Sequence, residues 1–311
     1  MESDEYGGPV KVVVVLGGGG SKAIAHAGAW KAIVESGAEI VAVIGTSMGA
    51  VMGAALSGGA TPDQLLETAR SLAPKDVATL DRFSLLKGVF AQNILKPGVL
   101  KHTIARLAPA TTFDALRIPL TVTTTDVDSG ELVLFGPRPL PLSPSPLRGE
   151  GGRSTAGVGA QHAGVRAQHA APLQDVLYAS CALPLYFPPA VINGRRLADG
   201  GLRAVLPIGV AAGIAADRVI AVHVGSGFDE KPSPSAPVPP RSGPSLLRAH
   251  DDALRILMAA QTERAIEAWP SNAPRLVVVR PVAERGATFA VGQSDRYFEE
   301  GYKQTVGRLD G

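Results

Sequence analysis

Short unbroken apolar runs alternate along this chain with segments whose apolar positions recur every three or four residues. The first run, 11–16 (KVVVVL), ends in four glycines. It has no polar face, which predicts a parallel strand buried on both sides. Residues 21–36 follow, with Ala, Ile, Trp and Val at helical spacing, and close on Gly37, a helix stop. A second buried strand is predicted over 39–44 (EIVAVI). A second helix is predicted over 48–56; it is small and apolar all round, hence itself buried. Two strand–helix units in such quick succession predict an α/β fold, a mostly parallel central sheet flanked by helices on both faces.

Downstream, 61–72 reads as a surface helix with Pro62 in its first turn. Residues 73–117 give mixed signals apart from a helix over 96–107. Strands over 119–125 and 131–135 flank a turn at 126–130. A short helix over 174–182 stops before Pro184, and 196–198 leads into Asp199-Gly200-Gly201. A helix over 207–216, a buried strand over 218–224, a long amphipathic helix over 246–269, a strand over 275–280 and a helix over 295–309 complete the chain. Two segments interrupt this pattern. Residues 137–172 are rich in Pro, Gly, Ser, Arg, Gln and His, carry a crude echo (AGVGAQHAGVRAQHA) and hold almost no large apolar residues. They cannot bury enough surface to offset ordering entropy, which predicts a disordered insertion. Residues 228–244 read as a flexible loop. The strand–helix pattern resumes after each, so one domain is expected over 10–311.

Composition narrows the function classes. With 45% apolar and 19% charged residues, the 311-residue chain is expected to fold. A formal charge of +2 is too small for a nucleic-acid footprint. One cysteine excludes an intramolecular disulfide framework and a Cys-rich zinc site. The acidic start, MESDEYGGPV, lacks the basic and apolar regions of a secretory signal. The charge-free stretch 40–61 is rich in Gly and Ala and reads as a strand–turn–helix, not a membrane span. A cytoplasmic or peripherally membrane-associated protein is expected, with no signal peptide or transmembrane helix.

The candidate chemistry lies at two strand-to-helix junctions. Gly45-Thr46-Ser47-Met48-Gly49 fits G-x-S-x-G directly after the second strand and before the second helix. Glycines there allow the strained turn that presents a Ser Oγ, and the helix N-terminus favours a developing oxyanion. The bland reading is a turn in which Ser47 is only a cap. Gly17-Gly18-Gly19-Gly20-Ser21-Lys22 occupies the junction after the first strand. A phosphate-binding P-loop needs Gly-Lys-Ser/Thr, which Ser21-Lys22-Ala23 does not supply. A dinucleotide fingerprint is met in its permissive form by Gly18, Gly20 and Ala23, but its acidic partner at the end of the second strand is missing. An oxyanion hole for Ser47 accounts for both motifs at once. Asp199-Gly200-Gly201 alone would be only a turn; beside the other two it supplies a candidate base.

Together these motifs resemble the patatin-like phospholipase family: a glycine-rich loop, then G-x-S-x-G, then Asp-Gly-Gly far downstream. His26 and Gly28 in KAIAHAGAW, the run Ala179-Ser180-Cys181-Ala182-Leu183-Pro184 before Phe187-Pro188-Pro189, and Pro207 also fit, so the resemblance covers about 10–225 without the insertion. The chain departs from the family at Ala23, where Gly is frequent, and at Val205, where Asn is frequent. The resemblance implies a three-layer patatin-like α/β fold and a Ser–Asp dyad: Ser47 the nucleophile, Asp199 the base, and the N–H groups of Gly18, Gly19 and Gly20 the oxyanion hole. Gly17, Lys22, Gly45, Gly49, Gly200 and Gly201 support these motifs. It implies an acyl lipid as partner, with peripheral membrane contact, and no metal or organic cofactor.

Two rivals stand beside this reading. A conventional Ser–Asp–His hydrolase would need His223 or His250 to complete its triad. A catalytically inactive acyl-lipid binding protein would keep the fold alone. The default for His26, His223 and Cys181 is core packing, for His250 a solvated helix face, and for Asp126 and Asp128 a turn. Lys22 fits either an orienting role in the glycine loop or a solvated helix start. His162 and His169 lie in the insertion, where a metal site is not expected.

Overall fold

The computed structural model describes residues 8–81, 84, 86, 93–137, 165–168, 171–225, 245–282 and 292–310. Its sheet has nine strands. They are β1 (Lys11–Leu16), β2 (Glu39–Thr46), β3 (Leu120–Asp126), β4 (Leu132–Phe135), β5 (Val165–Gln168), β6 (Ala190–Ile192), β7 (Arg195–Asp199), β8 (Arg218–Val222) and β9 (Arg275–Val279). The main path runs β5-β4-β3-β2-β1-β8-β9, with β7 joined to β3 and β6. Strands β3, β2, β1, β8 and β9 pair in parallel, as the unbroken apolar runs predict, and β4 and β7 pair with β3 antiparallel.

Alternation along β1 separates two cores. Val12, Val14 and Leu16 face one layer, and Val13 and Val15 face the other. The first layer holds α1 (Ala25–Glu35), α2 (Met48–Ser57), α3 (Pro62–Arg70), α5 (Pro97–Leu107), α6 (Leu173–Cys181) and α10 (Ser294–Leu309). Pro74–Val77 forms the one-turn α4 beside α5. The second layer holds α8 (Ile208–Ala211) and α9 (Ser245–Glu267), with the short α7 (Gly201–Ala204) following β7. Helices therefore cover both faces of a mostly parallel sheet. α1 and α10 cross almost in backbone contact: a Cβ on Gly28 would lie 2.0 Å from the Phe298 carbonyl oxygen, and one on Gly301 2.1 Å from that of Ala25.

Several boundaries differ from the sequence expectation. The segment 21–36 splits into a 3-10 turn, Gly20–Ile24, and α1. The helix expected over 207–216 is one turn long, α8, because Gly209 and Gly213 weaken helix propensity. α3 starts on a capping box between Thr61 and Gln64. The hairpin β6–β7 was not foreseen, although Asn193-Gly194 signals it; both turn residues have positive φ.

The expectation of a structureless stretch over 137–172 is corrected at Val165–Gln168. This strand pairs in parallel with β4, from Leu132↔Val165 to Phe135↔Gln168. Main-chain pairing depends little on side chains, so low apolar content does not prevent it. Residues 138–164 and 169–170, and the loop expected over 228–244, lie outside the described residues.

Candidate active site

The site forms where two strands end head to head on one edge of β3. β2 runs parallel to β3 and its last residue, Thr46, pairs with Thr123. β7 runs the opposite way along the same edge and its last residue, Asp199, pairs with Thr124. Ser47 and Asp199 thus leave their strands at neighbouring rungs. Ser47 Oγ donates to Asp199 Oδ2 at 2.8 Å.

Ser47 has φ 54° and ψ −132°, which a β-carbon disfavours by on the order of 1–3 kcal/mol. The turn is this sharp because α2 starts at once and runs close to the strands. A Cβ on Gly45 would lie 2.5 Å from the Ala50 Cα, and one on Gly49 2.3 Å from the Leu16 carbonyl oxygen. Both motif glycines are therefore required by close approach. Ser47 is half-buried, whereas Asp199 is only 5% exposed.

Burial pushes the Asp199 carboxyl up to about 6, against the opposing pull of the Gly201 N–H on Oδ1 at 2.7 Å and of the Ser47 hydroxyl. Its strand end is fixed on both sides: Thr125 Oγ1 donates to the Asp199 carbonyl at 2.9 Å, and the Asp199 N–H donates to Ala182 O at 3.1 Å. Gly200 permits the turn, since a Cβ there would lie 2.4 Å from Thr123 Oγ1. No histidine is among the partners of the carboxylate within the described residues.

The glycine loop faces this pair, and the four expected glycines divide. Gly17 N–H donates to Val222 O at 3.0 Å and Gly18 N–H to Val205 O at 2.9 Å. Gly18 was expected to be an oxyanion donor; its proton is spent on the chain following Asp199, which corrects that assignment. Val205 thus holds the loop through its backbone, where the family often carries Asn. Gly19 and Gly20 are half-buried, and among the described residues their N–H groups donate to no protein acceptor. Gly19 has no room for a side chain, with Val224 Cγ2 2.5 Å from a built Cβ, and Gly20 has φ 61°.

His26 supports the loop from within, and Lys22 lies buried at the loop's end. Lys22 is buried, not a solvated helix start, and burial lowers its ammonium to about 8. His26 is fully buried and Nε2 lies 2.8 Å from the Gly17 carbonyl oxygen. Burial pushes it down to about 4, so the ring is neutral and Nε2–H donates. His250 sits edge-on to Tyr186, whose hydroxyl donates to Asp251; His223 is buried just past the end of β8, its backbone N–H donating to Val279 O at 2.8 Å. Cys181 is buried beside Ser47 and Asp199, and burial followed by the Asp199 charge raises its thiol well above the ordinary range. Asp126 and Arg195 are paired at the β3–β4 turn, a structural cluster.

Sequence reasoning missed the hydroxyl network under the site. Thr46 Oγ1 and Thr123 Oγ1 lie 2.6 Å apart, and Thr46 Oγ1 also donates to Ala204 O at 2.9 Å. Polar residues at 121, 123, 124 and 125 in a strand buried along its whole length were the available signal.

The arrangement sets a hydroxyl on a buried carboxylate with two unspent backbone N–H groups on the facing loop. The chain matches the patatin-like phospholipase family over residues 14–212. It is 30% identical over 214 residues to an uncharacterized NTE family protein of Mycobacterium bovis, covering 69% of this chain and 49% of that protein. It is 25% identical over 320 residues to the lysophospholipase NTE1 of Mycosarcoma maydis, covering 97% of this chain and 15% of that protein. The chain thus spans half or less of these curated relatives. Among solved structures, VipD from Legionella pneumophila aligns with a TM-score of 0.44 at 14% identity, covering 99% of this chain and 69% of that one. With the family match spanning both the G-x-S-x-G turn and the Asp-Gly-Gly turn, this chain belongs to the patatin-like phospholipase family.

Proposed function

We propose that this chain is a serine acyl hydrolase that cleaves ester bonds of acyl lipids. The observation that carries the reading is the 2.8 Å hydrogen bond from Ser47 Oγ to the buried Asp199 carboxylate. Near neutral pH that carboxylate is ionised, since its proton leaves at about 6. It accepts the Ser47 proton as Oγ attacks the ester carbonyl carbon, and the carbonyl electrons collect on oxygen. The N–H groups of Gly19 and Gly20 take that oxyanion, with the start of α2 adding its positive end. Collapse breaks the ester C–O bond; the leaving alcohol takes the proton from Asp199 and an acyl-Ser47 ester remains. Water then gives a proton to Asp199 and attacks the acyl carbon. Collapse returns the proton to Ser47 and releases the fatty acid.

The family supports an acyl-lipid substrate met at a membrane or micelle surface, and the Mycosarcoma relative makes lysophospholipid the first to test. Against a Ser–Asp–His triad stands the Asp199 carboxylate, whose hydrogen-bond partners among the described residues are Ser47 and Gly201. Among the described residues no helix is long and apolar enough to cross a membrane. The test is labelling by a fluorophosphonate probe, with the labelled residue mapped by mass spectrometry, followed by hydrolysis of a lipid panel. The expected result is labelling at Ser47 and a loss of at least about 1,000-fold in Ser47→Ala. A folded protein that does not label would point to the binding-only alternative.

A further inference from the structure

The end of α6 touches both members of the Ser47–Asp199 pair. Ser180 is fully buried, and its Oγ accepts the Ser47 backbone N–H at 2.8 Å. The same hydroxyl donates to the Thr123 carbonyl oxygen at 2.7 Å. A serine hydroxyl has one proton and two lone pairs. Spending the proton on Thr123 turns a lone pair toward Ser47. Two residues on, Ala182 O takes the Asp199 N–H at 3.1 Å.

We infer that Ser180 is a positioning residue, which holds the Ser47 backbone at the sharp turn and so sets the distance between Ser47 Oγ and Asp199. The inference rests on the hydrolase reading above. The physical reason is that the Ser47 N–H has no place in either neighbouring ladder. β2 has ended at Thr46, and a residue at φ 54° is not part of α2. Without an acceptor the turn loses the bond that holds it, and full burial of Ser180 shuts out a water that would replace its oxygen. Ser180 meets the backbone of Ser47, not its hydroxyl, and its own proton is committed to Thr123. Its effect is on geometry, not on proton transfer. This gives a purpose to the run Ala179-Ser180-Cys181-Ala182: one helix end meets both strand ends, so the two cannot drift apart independently.

The test compares the parent with Ser180→Ala and Ser180→Cys, the latter keeping a weak acceptor in place. Each is measured for kcat and KM on a soluble p-nitrophenyl acyl ester across pH, for fluorophosphonate labelling rate, and for thermal unfolding. Ser180→Ala is expected to lose about 100-fold in kcat, as for a displacement of about an ångström, with KM within about twofold and labelling slowed in step. Ser180→Cys is expected to fall between parent and Ala. The acid limb of the pH profile is expected to stay where it is in the parent, because Ser180 does not touch the carboxyl. A kcat within threefold of the parent in Ser180→Ala overturns the inference. So does a loss accompanied by an acid limb falling toward the ordinary carboxylate range, which would mark a site loosened and hydrated in general. A parent that neither labels nor turns over removes the hydrolase reading and this inference together. An active parent with an equally active Ala variant removes the role of Ser180 alone.

Discussion

Gly201 donates its backbone N–H to Asp199 Oδ1 at 2.7 Å, on the carboxyl oxygen opposite the one that takes the Ser47 hydroxyl. Among the described residues these two donors offset the burial of this charge, and burial wins, leaving the carboxyl at about 6. The group proposed as base is therefore half-titrated just below neutrality.

The first consequence is a pH–rate profile. Only the ionised carboxylate accepts the Ser47 proton, so kcat/KM should fall tenfold per pH unit on the acid side of about 6. Rates on a soluble ester between pH 4.5 and 8.5 check this. An acid limb in the ordinary carboxylate range, near 3.8, would show that the base is not a buried Asp199.

Asp199→Asn separates function from stability. Activity should fall by at least about 1,000-fold, since the amide cannot take the proton. Stability should move the other way at neutral pH. The folded carboxyl binds its proton more tightly than the unfolded one, about 6 against 3.8. Its burden on the fold is therefore complete above pH 6 and absent below 3.8, an upper bound of about 3 kcal/mol. Denaturant unfolding should find the Asn variant more stable than the parent at pH 7.5, with the gain vanishing at pH 3.5.

His26 should show the opposite slope. Its folded value, about 4, lies below the ordinary 6.5, so the unfolded chain takes the proton first. Stability from this group is intact above pH 6.5 and is lost toward pH 4, by about 3 kcal/mol. In the parent this loss and the Asp199 gain oppose each other over the same window. His26→Gln keeps an N–H for the Gly17 carbonyl and removes the titration. Between pH 7 and 4.5 it should gain stability relative to the parent, whereas Asp199→Asn should lose it.

The two parts of the segment 137–172 should behave differently when cut. Removing 141–160, which has little to bury, should leave unfolding and ester hydrolysis unchanged, because loop closure varies by only about 0.6 kcal/mol per halving of length. Extending the cut through Val165–Gln168 removes the strand paired with β4 and bares its edge. That longer deletion should unfold at lower temperature or aggregate, measured by thermal unfolding and light scattering.

What this sequence determined by itself was everything carried by local order. The apolar runs at 11–16, 39–44 and 218–224 predicted buried strands, the last ending at Val222 in the fold, because a run without a polar face is stable only with helices on both sides. The G-x-S-x-G and Asp-Gly-Gly turns were legible because close backbone approach at Gly45, Gly49 and Gly200 admits no side chain. Tertiary structure alone decided which partners these turns meet. That β2 and β7 end on adjacent residues of β3 follows from pairing between segments 152 residues apart at Ser47 and Asp199, a register that no local pattern encodes. The same holds for Gly18, whose N–H goes to Val205 O, and for Ser180, whose hydroxyl joins Thr123 to Ser47. A glycine or serine reads alike in sequence whatever its proton is doing. Only the packed sheet and the helix ends around it assign each donor to its acceptor, because burial forces every polar group to find a partner among those the fold has brought within reach.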